Sequence, residues 1–129
     1  MNEASPAYNK GYGYQGYFNG GAALSQCEGI AIHSKAFFVM QSDGNFASYD
    51  MASGKALWST GSNGKGVGGY SIIFQEDGNL VIYDAQQTTI WASGTSYKGA
   101  VNWVLQDDGT TCLAGDNGLC LWGQLGEHQ

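Results

Sequence analysis

Gln75, Asp77, Asn79, Val81 and Tyr83 occupy alternate positions of one nine-residue stretch, Gln75-Glu76-Asp77-Gly78-Asn79-Leu80-Val81-Ile82-Tyr83. Their chemistry is complementary. Asp77 only accepts hydrogen bonds, Gln75 and Asn79 donate and accept, and Tyr83 adds a hydroxyl. Val81 offers a small apolar surface. On a shared face these side chains suit a ligand with adjacent hydroxyls, each donor and acceptor, beside a patch of C–H groups. A monosaccharide has that character. A single carboxylate also discriminates by hydroxyl orientation, because a misplaced hydroxyl leaves buried polar groups unpaired.

The stretch recurs. One copy begins at Gln41 (Gln41-Ser42-Asp43-Gly44-Asn45-Phe46-Ala47-Ser48-Tyr49) and another at Gln106 (Gln106-Asp107-Asp108-Gly109-Thr110-Thr111-Cys112-Leu113-Ala114). Each copy is followed at near-constant distance by a tryptophan, Trp58, Trp91 or Trp122. A period of about 30 residues marks a repeat-built fold. The repeats are read as about 34–61, 68–94 and 100–123.

The repeat must position these side chains, and its register can be derived. Apolar and polar residues alternate over Ser71 to Gln75 and Asn79 to Tyr83, which predicts two strands. Between them Glu76-Asp77-Gly78 predicts a three-residue hairpin loop, with glycine at the left-handed position. That register sets Gln75 opposite Asn79, Ile73 opposite Val81 and Ser71 opposite Tyr83 on one face. Phe74 then meets Leu80, and Ile72 meets Ile82, on a wholly apolar face that must be the core side. The first copy gives Met40 opposite Phe46 and Phe38 opposite Ser48 inside, with Gln41 opposite Asn45 and Val39 opposite Ala47 outside. The third gives Leu105 opposite Thr111 and Trp103 opposite Leu113 inside.

A second turn follows in each repeat, at Asp50 to Lys55, Ala85 to Thr88 and Gly115 to Gly118, leading to the tryptophan strand. Trp58, Trp91 and Trp122 are expected to meet near a pseudo-threefold axis and build core, since each lies in an apolar strand. Helix signals are absent, and 21 glycines recur too often for long helices. The reading is all-β, with three antiparallel sheet units around one centre. Propeller blades and trefoil units are longer, about 40 residues or more, so the short period favours a prism of small sheets.

Composition narrows the function. At 129 residues the chain is one domain, and with 43% hydrophobic residues it can build a core. A net charge of −6 argues against a phosphate-backbone partner and against docking on an anionic membrane. No apolar run approaches the roughly 20 residues that span a bilayer. Met1 to Pro6 has no basic segment followed by an apolar one, so no signal peptide is read; the location stays unknown, with a cytoplasmic or non-classically secreted protein, or a leader outside this sequence, as the readings. Residues 1–23 form a Gly/Tyr-rich arm or extended first segment without strand or helix period. Residues 24–129 form the repeat domain. Cys112 and Cys120 are candidates for a bridge in an oxidising compartment, with Cys27 far off. The other reading is three buried thiols acting as small hydrophobes.

The motif Gln-x-Asp-x-Asn-x-Val-x-Tyr, repeated three times with intervening tryptophans, resembles the bulb-type (snowdrop-lectin-like) mannose-binding lectins over roughly residues 24–125. The resemblance implies a β-prism II fold, three antiparallel four-stranded sheets with pseudo-threefold symmetry. It also implies calcium-independent binding of terminal mannose, with no cofactor and no metal. By analogy Gln75, Asp77 and Asn79 hold O2 and O3, Tyr83 bonds O4, and Val81 packs on C3 and C4. Gln41, Asp43, Asn45, Ala47 and Tyr49 form a trimmed site. Ala47 in place of valine should weaken it by about 1 kcal/mol, at about 0.8 kcal/mol per buried CH₂. Gln106, Asp108, Thr110, Cys112 and Ala114 form a degenerate third site expected not to bind mannose. Family members often carry a disulfide within the first repeat, so a Cys112–Cys120 bridge is a departure. The resemblance also implies a homodimer or higher homo-oligomer.

A second function class is a structural or protein-interaction module acting through the Gly/Tyr-rich arm; deleting residues 1 to 20 separates it from the lectin reading. An enzyme is not expected. His33 and His128 are the only histidines, neither lies near a repeated carboxylate, and no nucleophile–base pair is suggested. Both are expected to be solvated. The Asp-Gly-Asn turns lack the other ligands of a calcium loop.

Overall fold

The alternation read in each repeat becomes a hairpin, and three hairpins build the molecule. The computed structural model describes residues 2–3, 8–11 and 15–126, with side chains from residue 16 onward. Its strands are β1 (Asn2–Glu3), β2 (Tyr8–Gly11), β3 (Gln15–Phe18), β4 (Ala23–Ser25), β5 (Glu28–Ile32), β6 (Ala36–Met40) and β7 (Phe46–Asp50). There follow β8 (Ala56–Ser59), β9 (Ser71–Phe74), β10 (Leu80–Tyr83), β11 (Thr89–Ala92), β12 (Asn102–Gln106), β13 (Thr111–Ala114) and β14 (Cys120–Gln124). No helix occurs among the described residues.

These strands form three sheets, ordered β1-β5-β6-β7-β8, β11-β10-β9-β4 and β14-β13-β12-β3-β2. Each contains an antiparallel four-stranded unit, as a β-prism II requires. Two gain a fifth strand from the N-terminal segment: β1 runs parallel to β5, and β2 antiparallel to β3. Strand pairing thus reaches into the Gly/Tyr-rich stretch. β3 closes the third sheet against β12, and Phe18 and Ala22 are core residues. Residues 15–18 are therefore a sheet strand rather than a free arm.

The hairpin registers are those the alternation dictates. Leu80 faces Phe74 and Val81 faces Ile73; Met40 faces Phe46 and Phe38 faces Ser48; Leu105 faces Thr111 and Trp103 faces Leu113. The turn glycines, Gly44, Gly78 and Gly109, have φ of 92°, 90° and 87°. They are also crowded: a Cβ on Gly44 would lie 3.0 Å from the Tyr70 ring, and one on Gly109 2.6 Å from Leu57. Each turn leans on the repeat that follows around the axis, so only glycine fits both demands.

The inner faces of the three sheets meet in one cluster that includes Phe18, Phe38, Phe46, Phe74, Ile72 and Trp103. Fully burying one such side chain contributes about 1.5–3 kcal/mol. Trp58, Trp91 and Trp122 are half-buried and pack against this cluster. Trp122 contacts both others edge-on, with ring centroids 6.1 Å from Trp58 and 5.5 Å from Trp91. Cys112 and Cys120 are joined in a disulfide, their Cα atoms 5.7 Å apart across β13 and β14. Cys27 is free and exposed.

The turn after β10 is organised by one buried carboxylate. Asp84 Oδ1 accepts from the backbone N–H groups of Gln86 and Thr88, both at 2.9 Å, and Oδ2 from that of Val67 at 3.0 Å. These donors, Thr88 foremost and then Val67, hold the Asp84 carboxyl below its ordinary range against the opposing effect of burial. A carboxyl whose pKa is depressed on folding stabilises the fold above its unfolded value, about 3.9, and loses that contribution as pH falls through the folded value. Asp84→Asn is therefore expected to be less stable than wild type at pH 7, with the gap closing as pH drops below about 4. Denaturant titrations at pH 7 and pH 2.5 check this; an equal gap at both would contradict it.

Candidate functional site

Of the five outer-face residues of the second repeat, Gln75, Asp77 and Asn79 lie on the turn joining β9 to β10, and Val81 and Tyr83 on β10. A bulge between Ile82 and Tyr83 shifts the pairing with β11. Equivalent bulges fall between Ser48 and Tyr49 and between Leu113 and Ala114. A bulge re-aims the side chain beside it. Here the Tyr83 hydroxyl swings to Gln75, whose Nε2 donates to it, and Gln41 Nε2 donates to Tyr49 in the same way.

Asp77 uses one oxygen internally: Oδ1 accepts from Asn79 N at 3.0 Å, an Asx turn that rigidifies the loop. Asp43 Oδ1 does the same for Asn45 N at 2.9 Å. The second carboxylate oxygen takes no part in the turn.

Asn79 is held more tightly still. Its Oδ1 accepts from Ser93 Oγ at 3.0 Å, Gly94 N at 3.0 Å and Thr95 N at 3.2 Å. Asn45 Oδ1 repeats the pattern with Thr60 Oγ1 at 3.1 Å, Gly61 N at 3.0 Å and Ser62 N at 3.2 Å. The amide orientation is thereby set, with the carbonyl turned inward and Nδ2 available as a donor. The same loop also clasps the turn: Thr95 Oγ1 donates to Gly78 O at 2.6 Å and Ser62 Oγ to Gly44 O at 2.7 Å. Sequence reading of the motif alone missed these buttress residues. Their signal was present as a second repeat, Trp58-Ser59-Thr60-Gly61-Ser62 and Trp91-Ala92-Ser93-Gly94-Thr95.

Val81 and Ala47 are each only 2% exposed. They form the floor of their faces and have little surface to offer a ligand.

The third face is built differently. Thr110 Oγ1 lies 3.0 Å from Gln106 Oε1 and 2.5 Å from Asp108 Oδ1, so its polar groups engage one another. Gly126 N donates to Thr110 Oγ1 at 3.0 Å, and a side chain on Gly126 would collide with the Asp108 carboxylate. Cys112 and Ala114 are buried in an apolar cluster with Val104, against which Tyr17 and Leu125 pack. Where the other faces present an asparagine and a tyrosine, this one is covered by the chain's own N- and C-terminal segments.

His33 departs from the expectation of a lone solvated histidine. Half exposed on the turn between β5 and β6, it places Nδ1 3.0 Å from Oδ2 of the buried Asp107. The pair ties the first repeat to the third; 74 residues separate its members. His128 lies outside the described residues. No group of three or more His, Cys, Asp or Glu side chains suited to a metal ion occurs among the described residues.

No protein-family model matches the sequence, and no curated protein matches it significantly. Solved structures do. A monomeric monocot mannose-binding lectin from Gastrodia elata is 31% identical, with 83% of this chain and 94% of that chain covered and a TM-score of 0.69. A lectin from Allium sativum is 30% identical, with 77% and 92% covered and a TM-score of 0.64. The mannose-specific agglutinin of snowdrop (Galanthus nivalis), solved with methyl-α-D-mannoside, is 28% identical, with 90% and 93% covered and a TM-score of 0.58. With three prism sheets, repeated polar faces and this degree of identity over nearly the whole Gastrodia chain, the protein belongs to the bulb-type mannose-binding lectin family.

Proposed function

We propose that the protein is a non-catalytic lectin that binds terminal mannose, without calcium, at two faces: Gln75, Asp77, Asn79, Val81 and Tyr83, and Gln41, Asp43, Asn45, Ala47 and Tyr49. The observation that carries this reading is the pair of fixed asparagine amides. Asn79 and Asn45 each spend their carbonyl on a buttress loop, which leaves Nδ2 as a donor two residues along the turn from a carboxylate. A donor held beside a carboxylate acceptor matches two adjacent hydroxyls. The snowdrop agglutinin and a lectin from Polygonatum cyrtonema were solved with mannosides bound, which supports mannose as the sugar.

The third face is proposed not to bind, since its polar groups are mutually engaged and its apolar floor is covered. Each binding face is shallow, so affinity for one sugar is low and useful binding comes from several sites meeting one glycan. A homodimer would double their number.

Calorimetric titration with methyl α-mannoside is the test. Two equivalents per chain are expected, with the same result in excess chelator. Failure to bind any mannoside at neutral pH would overturn the lectin reading. Three equivalents would overturn the assignment of the third face.

A further inference from the structure

The buttress loops of the two proposed sites carry small residues at most matching positions, but at one position a glycine in the first stands against a tyrosine in the second. After Ser62 the first loop continues Asn63-Gly64, and Gly64 N donates to Asp43 O at 2.8 Å. After Thr95 the second continues Ser96-Tyr97, and Tyr97 N donates to Asp77 O at 2.7 Å. Both residues are left-handed, Gly64 with φ of 80° and Tyr97 with φ of 57°. Glycine adopts that conformation freely, whereas a bulky aromatic residue does so at a cost. Such residues persist only where the surrounding structure holds them, as the bond to Asp77 does here, and they are frequent at ligand sites.

Packing gives Tyr97 no reason to be aromatic. It is 88% exposed, and it is the one exposed aromatic side chain among the described residues. Its backbone is one hydrogen bond from Asp77, which places the residue next to the turn of the second face. An amphipathic ring with a wet hydroxyl suits a partner that is apolar on one side and polar at its edge. The faces of a pyranose ring have that character.

We propose that Tyr97 is the platform of a second sugar subsite, which receives the residue linked to the mannose held at Gln75, Asp77 and Asn79. The ligand class is a mannose-terminated di- or oligosaccharide. The first face, with Gly64 in this place, has no such platform and reads the terminal sugar alone. The proposal rests on the mannose-binding reading of the second face.

The test compares wild type, Tyr97→Gly and Tyr97→Phe by NMR titration, following the Asn79 side-chain amide signal, which reports the second face alone. The probes are methyl α-mannoside and the α1,2-, α1,3- and α1,6-linked mannobioses. In wild type at least one mannobiose is expected to bind roughly three- to tenfold tighter than the monosaccharide, the range for a stacked aromatic contact. Tyr97→Gly should abolish that preference with methyl mannoside affinity unchanged, and Tyr97→Phe should keep most of it. No mannobiose preference in wild type, an unchanged preference in Tyr97→Gly, or equal weakening of all ligands would overturn the subsite. Absence of any mannoside response in wild type is a different failure, because it removes the lectin reading before a variant is compared.

Discussion

Asn79→Ala is expected to eliminate mannose binding at the second face and to destabilise the fold by about 2–3 kcal/mol, the scale of leaving buried donors without an acceptor. Three donors converge on Asn79 Oδ1, from Ser93, Gly94 and Thr95. Gly94 is exposed and can turn to water, while Thr95 is buried. Loss of the acceptor also loosens the loop whose Thr95 hydroxyl holds the Gly78 carbonyl. Asn79→Asp separates the two roles. It keeps an acceptor at Oδ1, so the loop stays docked, but it replaces the Nδ2 donor with a negative oxygen near Asp77. Affinity should fall at least tenfold while stability falls less than in the alanine variant. Asn45→Ala is expected to remove binding at the first face alone, since its carbonyl holds only that face's buttress loop. Methyl mannoside calorimetry combined with urea unfolding checks all three variants. If Asn79→Ala still bound two equivalents, the outer face would not be the site.

Trp103→Ala should be the most damaging single change in the core, at about 3–5 kcal/mol for a buried tryptophan. That is a large part of the 5–15 kcal/mol by which a domain is usually stable. Trp103 is 1% exposed, with Phe46 5.5 Å and Phe18 5.8 Å from its ring. It therefore links the third repeat to the first and to the N-terminal strand. Its indole Nε1 donates to Thr111 Oγ1 at 3.0 Å, and that hydroxyl donates to Val104 O at 2.7 Å. The other repeats have Phe46 and Leu80 where the third has Thr111. The threonine is explained by the indole, which needs an acceptor once buried. Thr111→Val is thus expected to destabilise by about 1–3 kcal/mol despite adding apolar surface. Thermal unfolding of both variants tests the pair; a Thr111→Val variant as stable as wild type would show that the indole finds another partner.

The hairpins were legible because their information is local. Period-2 alternation over Ser71 to Tyr83, interrupted by Asp77-Gly78, permits one register that buries Ile72, Phe74, Leu80 and Ile82 together. The same logic placed the polar side chains of both proposed sites on one face. The buttress of Asn79 was half-legible. Ser93-Gly94-Thr95 repeats Thr60-Gly61-Ser62 in the sequence, but nothing local says that the loop folds back to an amide 14 to 16 residues earlier.

The sequence by itself determined the repeat, the inner and outer faces and the decay of the motif in the third copy, since each follows from side-chain chemistry at fixed spacing along one hairpin. Tertiary structure decided what fills the third face, what holds the asparagines and where the Gly/Tyr-rich segment goes. β3 is a strand because β12 offers it an open edge of backbone donors and acceptors, a property of the partner that its own composition does not encode. The His33–Asp107 pair and the cover of Tyr17 and Leu125 over Cys112 likewise depend on closing the prism, which brings distant parts of the chain together. The nine residues from Gln75 to Tyr83 thus carry the chemistry of the proposed site, and the packing of three sheets around one axis supplies its rigidity and its limits.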